Sequence, residues 1–110
     1  MYYDSFCKIF IDADVDYKDL FNKILMFMGG KKEAVNYIVS DWCEICVKCN
    51  DEYSYDATNF LNWKYYLDVE SISTGKQTSP EYIDGILQLI TFLKEFSNSV
   101  IPACDFEDEL

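Results

Sequence analysis

Histidine and arginine are both absent from this chain of 110 residues. Without histidine there is no ordinary general base near neutral pH, and no imidazole to ligate a metal or activate a nucleophile. Without arginine there is no bidentate clamp for phosphate or carboxylate. Small acylphosphatase-type enzymes cradle phosphate with an arginine, so that chemistry is closed to this sequence. Also missing is any run near the roughly 20 apolar residues of a membrane span. The opening Met1-Tyr2-Tyr3-Asp4-Ser5 lacks the basic start and apolar core of a signal peptide. Five cysteines, an odd number, then fit reduced thiols, and the expectation is a cytoplasmic protein.

What is present is negative charge on an apolar body. Twenty Asp and Glu face nine basic groups, all lysines, for a net charge of −11. Half of the residues are hydrophobic and 17% are aromatic, too many for a disordered chain. The length suits a single domain spanning residues 1–110. A field of this sign repels nucleic acid and anionic membranes, whose recognition depends on cationic side chains. It attracts basic proteins and accelerates their encounter at low salt.

The hydropathy pattern predicts a β-α-β-β-α-β order. Residues 2–12 alternate as a strand, with Cys7, Ile9 and Ile11 opposite Phe6, Lys8 and Phe10. Asp12, Asp14 and Asp16 offer caps for a helix carrying Leu20, Ile24, Phe27 and Met28, which Gly29-Gly30 ends. Residues 34–49 alternate again and predict one long strand, with Val35, Tyr37, Val39, Cys43, Ile45, Val47 and Cys49 on one face. Trp42, Glu44, Cys46 and Lys48 take the other face. Residues 60–70 predict a third strand. Ser79-Pro80-Glu81 starts a second helix with the stripe Ile83, Ile86, Leu87, Ile90 and Leu93. Residues 100–106 close the domain as an edge strand, where Pro102 is tolerated.

That order is the ferredoxin-like α+β pattern, a four-stranded antiparallel sheet with two helices on one face. With its usual strand order, the 50–59 loop, the start of the first strand and the end of the last are expected at one end of the sheet. This gathers Asp4, Asp51, Glu52, Asp56, Asp105, Glu107, Asp108 and Glu109 into an acidic end. Tyr2, Phe6, Phe10, Trp42 and Tyr66 are expected on the sheet face that no helix covers. Such a face suits a hetero-partner or a homodimer contact, since exposed apolar patches mark interaction sites.

Two patterns suggest chemistry and fall to simpler readings. Cys43, Cys46 and Cys49 resemble part of a zinc or iron–sulfur ligand run. Tyr53 stands where the ferredoxin spacing needs a fourth cysteine, and a strand places Cys46 opposite the other two. No metal or cofactor is therefore expected, and a thiol- or metal-dependent module is the alternative function. Clustered Asp105, Glu107, Asp108 and Glu109 invite a paired-carboxylate mechanism, but a charge run is ordinarily a solvated face. No catalytic residue is assigned.

Phe60-Leu61-Asn62-Trp63-Lys64-Tyr65-Tyr66-Leu67-Asp68-Val69-Glu70 and the ending Ile101-Pro102-Ala103-Cys104-Asp105-Phe106-Glu107-Asp108-Glu109-Leu110 resemble a family of small acidic bacterial proteins. Its members carry a Trp-x-Tyr-x-Leu-x-Val-Glu-like strand and an Ala-Cys-Asp-Phe-Glu-Asp-Glu-Leu-like end. In size, charge and aromatic content the chain also resembles the immunity proteins of polymorphic and contact-dependent toxin systems. That resemblance implies a stoichiometric inhibitor whose partner is a cognate toxin. The expected contact residues are Asp51, Glu52, Tyr53, Asp56, Asp105, Glu107, Asp108 and Glu109.

Overall fold

A computed structural model describes residues 5–50, 63–72, 79–106, 108 and 110. The elements are β1 (Cys7–Asp12), α1 (Tyr17–Met28), β2 (Lys31–Ala34), β3 (Tyr37–Val39), β4 (Cys43–Cys49), β5 (Tyr65–Ser71), α2 (Pro80–Lys94) and β6 (Ser99–Cys104). The helix starts follow directly from local chemistry. Asp16 caps α1 by accepting from the Asp19 amide at 2.8 Å. Ser79 caps α2 by accepting from the Tyr82 amide at 3.1 Å, with Pro80 in the first turn. Gly29 ends α1 with φ at 61°, a left-handed turn that glycine adopts without penalty.

The fold is α+β with a six-stranded antiparallel sheet in the order β2-β3-β4-β5-β1-β6. This corrects the four-stranded ferredoxin-like expectation, because residues 34–49 do not form one strand. The chain reverses twice between Lys31 and Cys49, making β2, β3 and β4. The second reversal is a turn organised by Ser40. Its amide donates to the Cys43 carbonyl at 2.9 Å, and its hydroxyl accepts from the Cys43 amide at 3.2 Å. Side-chain turn chemistry of this kind outweighed the strand periodicity that spans it. Gly30 is needed for close approach, since a Cβ there would lie 2.5 Å from the Val39 carbonyl oxygen.

Inward residues of the sheet meet both helices in one core. Cys7, Ile9, Ile11, Ile45, Val47, Leu67 and Val69 are fully buried with Leu20 and Ile24 of α1 and Ile86, Leu89 and Leu93 of α2. Two tyrosine hydroxyls tie the entry of α1 to this layer. Tyr17 donates to the Val47 carbonyl at 2.9 Å, and Tyr65 donates to the Val15 carbonyl at 2.7 Å. Phe106 is buried too and meets Tyr82 edge-on at 5.9 Å, so the closing segment is anchored under α2. Phe27 and Leu87, expected in the core stripes, are instead 40% and 39% exposed.

Candidate functional site

Strand alternation sends every second side chain away from the helices, and among the described residues no helix packs on the face they form, the open face of the sheet. Its centre is built from β4 and β5. Registers place Glu44 opposite Glu70, Cys46 opposite Asp68 and Lys48 opposite Tyr66. β1 continues the face with Lys8 beside Asp68 and Phe10 beside Tyr66. On the other side β3 adds Tyr37 against Cys46 and Val39 against Glu44.

The face divides into a cationic–aromatic part and an acidic part. Around Tyr66, the Lys8 ammonium lies 4.4 Å from the ring centroid and Lys48 lies 6.0 Å away. Phe10 packs at 6.1 Å from the same ring. Cation–π contacts of this geometry are worth about 0.5–1 kcal/mol each at exposed sites. Lys48 also bridges to Asp68 Oδ2 at 3.1 Å. That contact and its charge raise the Lys48 pKa.

The acidic part lies toward β3. Glu44, Asp68 and Glu70 rim a hollow of about 100 Å³ whose remaining walls are Phe6, Tyr37 and Cys46. The Tyr37 hydroxyl donates to Glu44 Oε2, which pushes the phenol up to about 12. Asp68 Oδ1 is buried and takes no hydrogen bond among the described residues. Burial also raises the Cys46 thiol pKa; Lys48 partly offsets this and Asp68 adds to it. Two glutamates placed directly opposite each other oppose sheet pairing. An open, partly aromatic surface with a buried acceptor oxygen and paired carboxylates is suited to receive cationic donors.

No protein-family model, no curated protein and no solved structure matches this chain.

Of the acidic end expected from the sequence, the structure describes Asp105 and Asp108. Asp4, Asp51, Glu52, Tyr53, Asp56, Glu107 and Glu109 lie outside the described residues. The strands that lead to them settle the directions, however. Cys49 pairs with Tyr65, Tyr65 with Ile11, and Asp12 with Ser99, so Asn50 leaves the sheet where β1 ends and β6 begins. Cys104 pairs with Cys7, and Cys7 with Val69, so Asp105 leaves at the opposite end. The expectation had reversed the direction of β1 relative to the β4–β5 connection. Asp105 and Asp108 are exposed, and Asp105 flanks Phe106, which the core holds.

The cysteine run is split by β4. Cys43 is buried, Cys46 faces the open side and Cys49 is exposed at the strand end. Across such a strand Cys43 and Cys49 are about 20 Å apart. Among the described residues no three His, Cys, Asp or Glu side chains are grouped to hold a metal ion. Trp42 also departs from expectation. It sits in the turn before β4 and packs on α2, edge-on to Tyr82 at 5.7 Å, rather than on the open face. Tyr2 lies outside the described residues; Phe6, Phe10 and Tyr66 do share the open face.

Glu44, Asp68 and Glu70 were missed as site residues although the signal was in the sequence. They are the polar half of the same alternation that names the core. What sequence lacks is the register that puts them side by side. Among the described residues, no helix is long and apolar enough to cross a membrane.

Proposed function

We propose that this chain is an immunity protein that binds a cognate basic toxin domain, such as a nuclease, and occludes its active site. The carrying observation is the acidic part of the open face, where Glu44, Asp68 and Glu70 rim one hollow beside Phe6 and Tyr37. The net charge of −11 draws a basic partner to the surface. Lysine or arginine side chains of the toxin then dock on the three carboxylates, with Asp68 Oδ1 gaining a donor that it lacks among the described residues. Phe6, 41% exposed, and the neighbouring tyrosines supply the apolar contact that anchors interfaces. A toxin whose substrate groove is filled in this way is inactive, and the inhibitor performs no chemistry itself. The acids at residues 51–56 and 105–109 add to the attracting field.

The same reading places the protein in the cytoplasm and takes its fold as an elaborated ferredoxin-like core. Support for the latter is the neighbour order β6-β1-β5-β4, the order of that pattern, with the β2–β3 hairpin added beyond β4.

The test is a pull-down from native cell extract at low and high salt, followed by titration of the captured partner with purified chain. A one-to-one complex with a basic toxin, loosened by salt and by Glu44→Lys with Glu70→Lys, supports the proposal. Capture of no such partner at either salt overturns it. A complex that ignores both reversals, but fails when Asp51, Glu52 and Asp56 are reversed, moves the interface to those residues.

A further inference from the structure

The helix layer carries an apolar patch that the proposed toxin contact does not use. Met26 is 82% exposed, and Phe27 and Leu87 are 40% and 39% exposed. Phe27 of α1 stacks on Phe92 of α2 at 4.3 Å and 11°, and Phe92 in turn meets Phe96 at 5.5 Å. Two hollows of about 320 and 550 Å³ share the Phe27–Phe92 pair and Glu95 as walls. Leu87, Gln88 and Thr91 complete the first, and Lys23, Met26 and Phe96 the second. Solvent-facing helix positions favour charged residues, so this concentration of large apolar side chains needs a cover.

We propose that the cover is a second copy of this chain, docked helix layer to helix layer about a two-fold axis. A two-fold interface must be complementary to itself: every projection needs a hollow, and every cation an anion, on the same patch. This patch meets both conditions. Met26 projects, and the hollow walled by Phe27, Leu87, Thr91 and Phe92 is open beside it. Lys23 and Glu95 flank the second hollow. Lys23 lies over the Phe96 ring at 5.3 Å, and among the described residues no ion pair joins it to Glu95. In the two-fold arrangement each Lys23 faces Glu95 of the other copy.

Charge also selects this occupant. Lys18, Asp19 and Lys23 of α1 and Glu81, Asp84 and Lys94 of α2 sum to zero in a chain of −11, so the helices carry none of the excess charge that repels a like-charged copy. A basic toxin is drawn elsewhere. A standard interface buries about 800 Å² per partner. The chain exposes 6470 Å², and such a contact extends from the patch over the outer faces of both helices. The open sheet face stays free on the far side of each copy, so this inference stands whether or not a toxin binds there.

Sedimentation equilibrium of the full chain, from micromolar to near-millimolar concentration at about 0.15 M salt, tests it; distant charges are then largely screened. The expected result is a concentration-dependent rise from 12.9 kDa toward twice that mass. Met26→Lys keeps a good helix former at an exposed position, so it spares the fold and weakens the dimer at least about tenfold. Lys23→Glu weakens it as well, and adding Glu95→Lys restores it. A chain that stays monomeric throughout overturns the proposal. So does a dimer that Met26→Lys and Lys23→Glu leave intact, because its contact then lies on another face.

Discussion

Glu44 and Glu70 stand directly opposite each other on neighbouring strands, on the side of the sheet away from α1 and α2. Like charges in this position cost about 0.2–1 kcal/mol of sheet stability. Glu70→Lys turns the repulsion into an attraction. The expected outcome is a higher urea midpoint with an unchanged slope, together with weaker toxin binding. Opposite signs for stability and binding are the signature of a surface kept acidic for a partner. A variant that loses both has simply damaged the fold.

A second prediction concerns Gly85 and Trp42. A Cβ on Gly85 would come within 2.8 Å of the Trp42 ring, which is held in the turn before β4 and edge-on to Tyr82. By helix propensity alone, Gly85→Ala gains about 1 kcal/mol. Overpacking against a large ring costs about 1–3 kcal/mol, so the net change is destabilising. Urea unfolding followed by tryptophan fluorescence measures it. Trp42→Phe combined with Gly85→Ala should recover part of the loss, because the smaller ring frees the space.

The alternating runs were sufficient to name the core of β1, β4 and β5, and the caps at Asp16 and Ser79 fixed where both helices start. Two things were not legible. The Ser40 turn keeps the odd-position pattern running through a chain reversal, so Tyr37 and Val39 read as partners of Cys43 and Ile45 although they lie on the opposite face. Phe27 and Leu87 occupy helix positions that match the core stripe by spacing, but the sheet beneath is filled by Phe21 and Leu89 instead. Periodicity gives the width of an apolar stripe and not which edge of it faces the sheet. The open-face acids were visible as residues and invisible as a cluster, because a cluster requires register across strands.

Alkaline conditions should loosen the fold through its buried acids. Burial pushes the Cys43 thiol up from 9.0 to about 11, with Ser40 partly opposing the shift. Burial likewise raises the Tyr82 phenol, and the bond to Glu44 raises Tyr37 from 10.0 to about 12. A raised folded-state pKa gives stability that is complete below the unfolded value and is lost as pH climbs through the folded one. Stability contributed by these groups is therefore intact up to about pH 9 and falls first through Cys43, then through the tyrosines. Cys43 alone accounts for up to about 3 kcal/mol of the decline. Urea midpoints measured from neutral pH upward check the onset. Alkylation near pH 8–9, read by mass spectrometry, should label exposed Cys49 well before buried Cys43.

The closing segment provides the last prediction, which separates packing from recognition within one motif. Phe106 is 1% exposed and edge-on to Tyr82, and Leu110 packs against the same core, while Asp105 and Asp108 are exposed. Phe106→Ala should cost about 3–5 kcal/mol, a large share of the stability of a domain this size. Asp108→Asn should change stability by no more than about 0.5 kcal/mol, as exposed substitutions do, and Asp105→Asn, which gives up an interaction of its own, by well under the Phe106→Ala loss. If the tail served only as a partner contact, the order would be inverted, with the aspartates mattering to binding and the phenylalanine dispensable to folding. Thermal unfolding of the three variants decides between these outcomes. A large loss confined to Phe106→Ala identifies the segment as a clasp that holds α2 on the sheet.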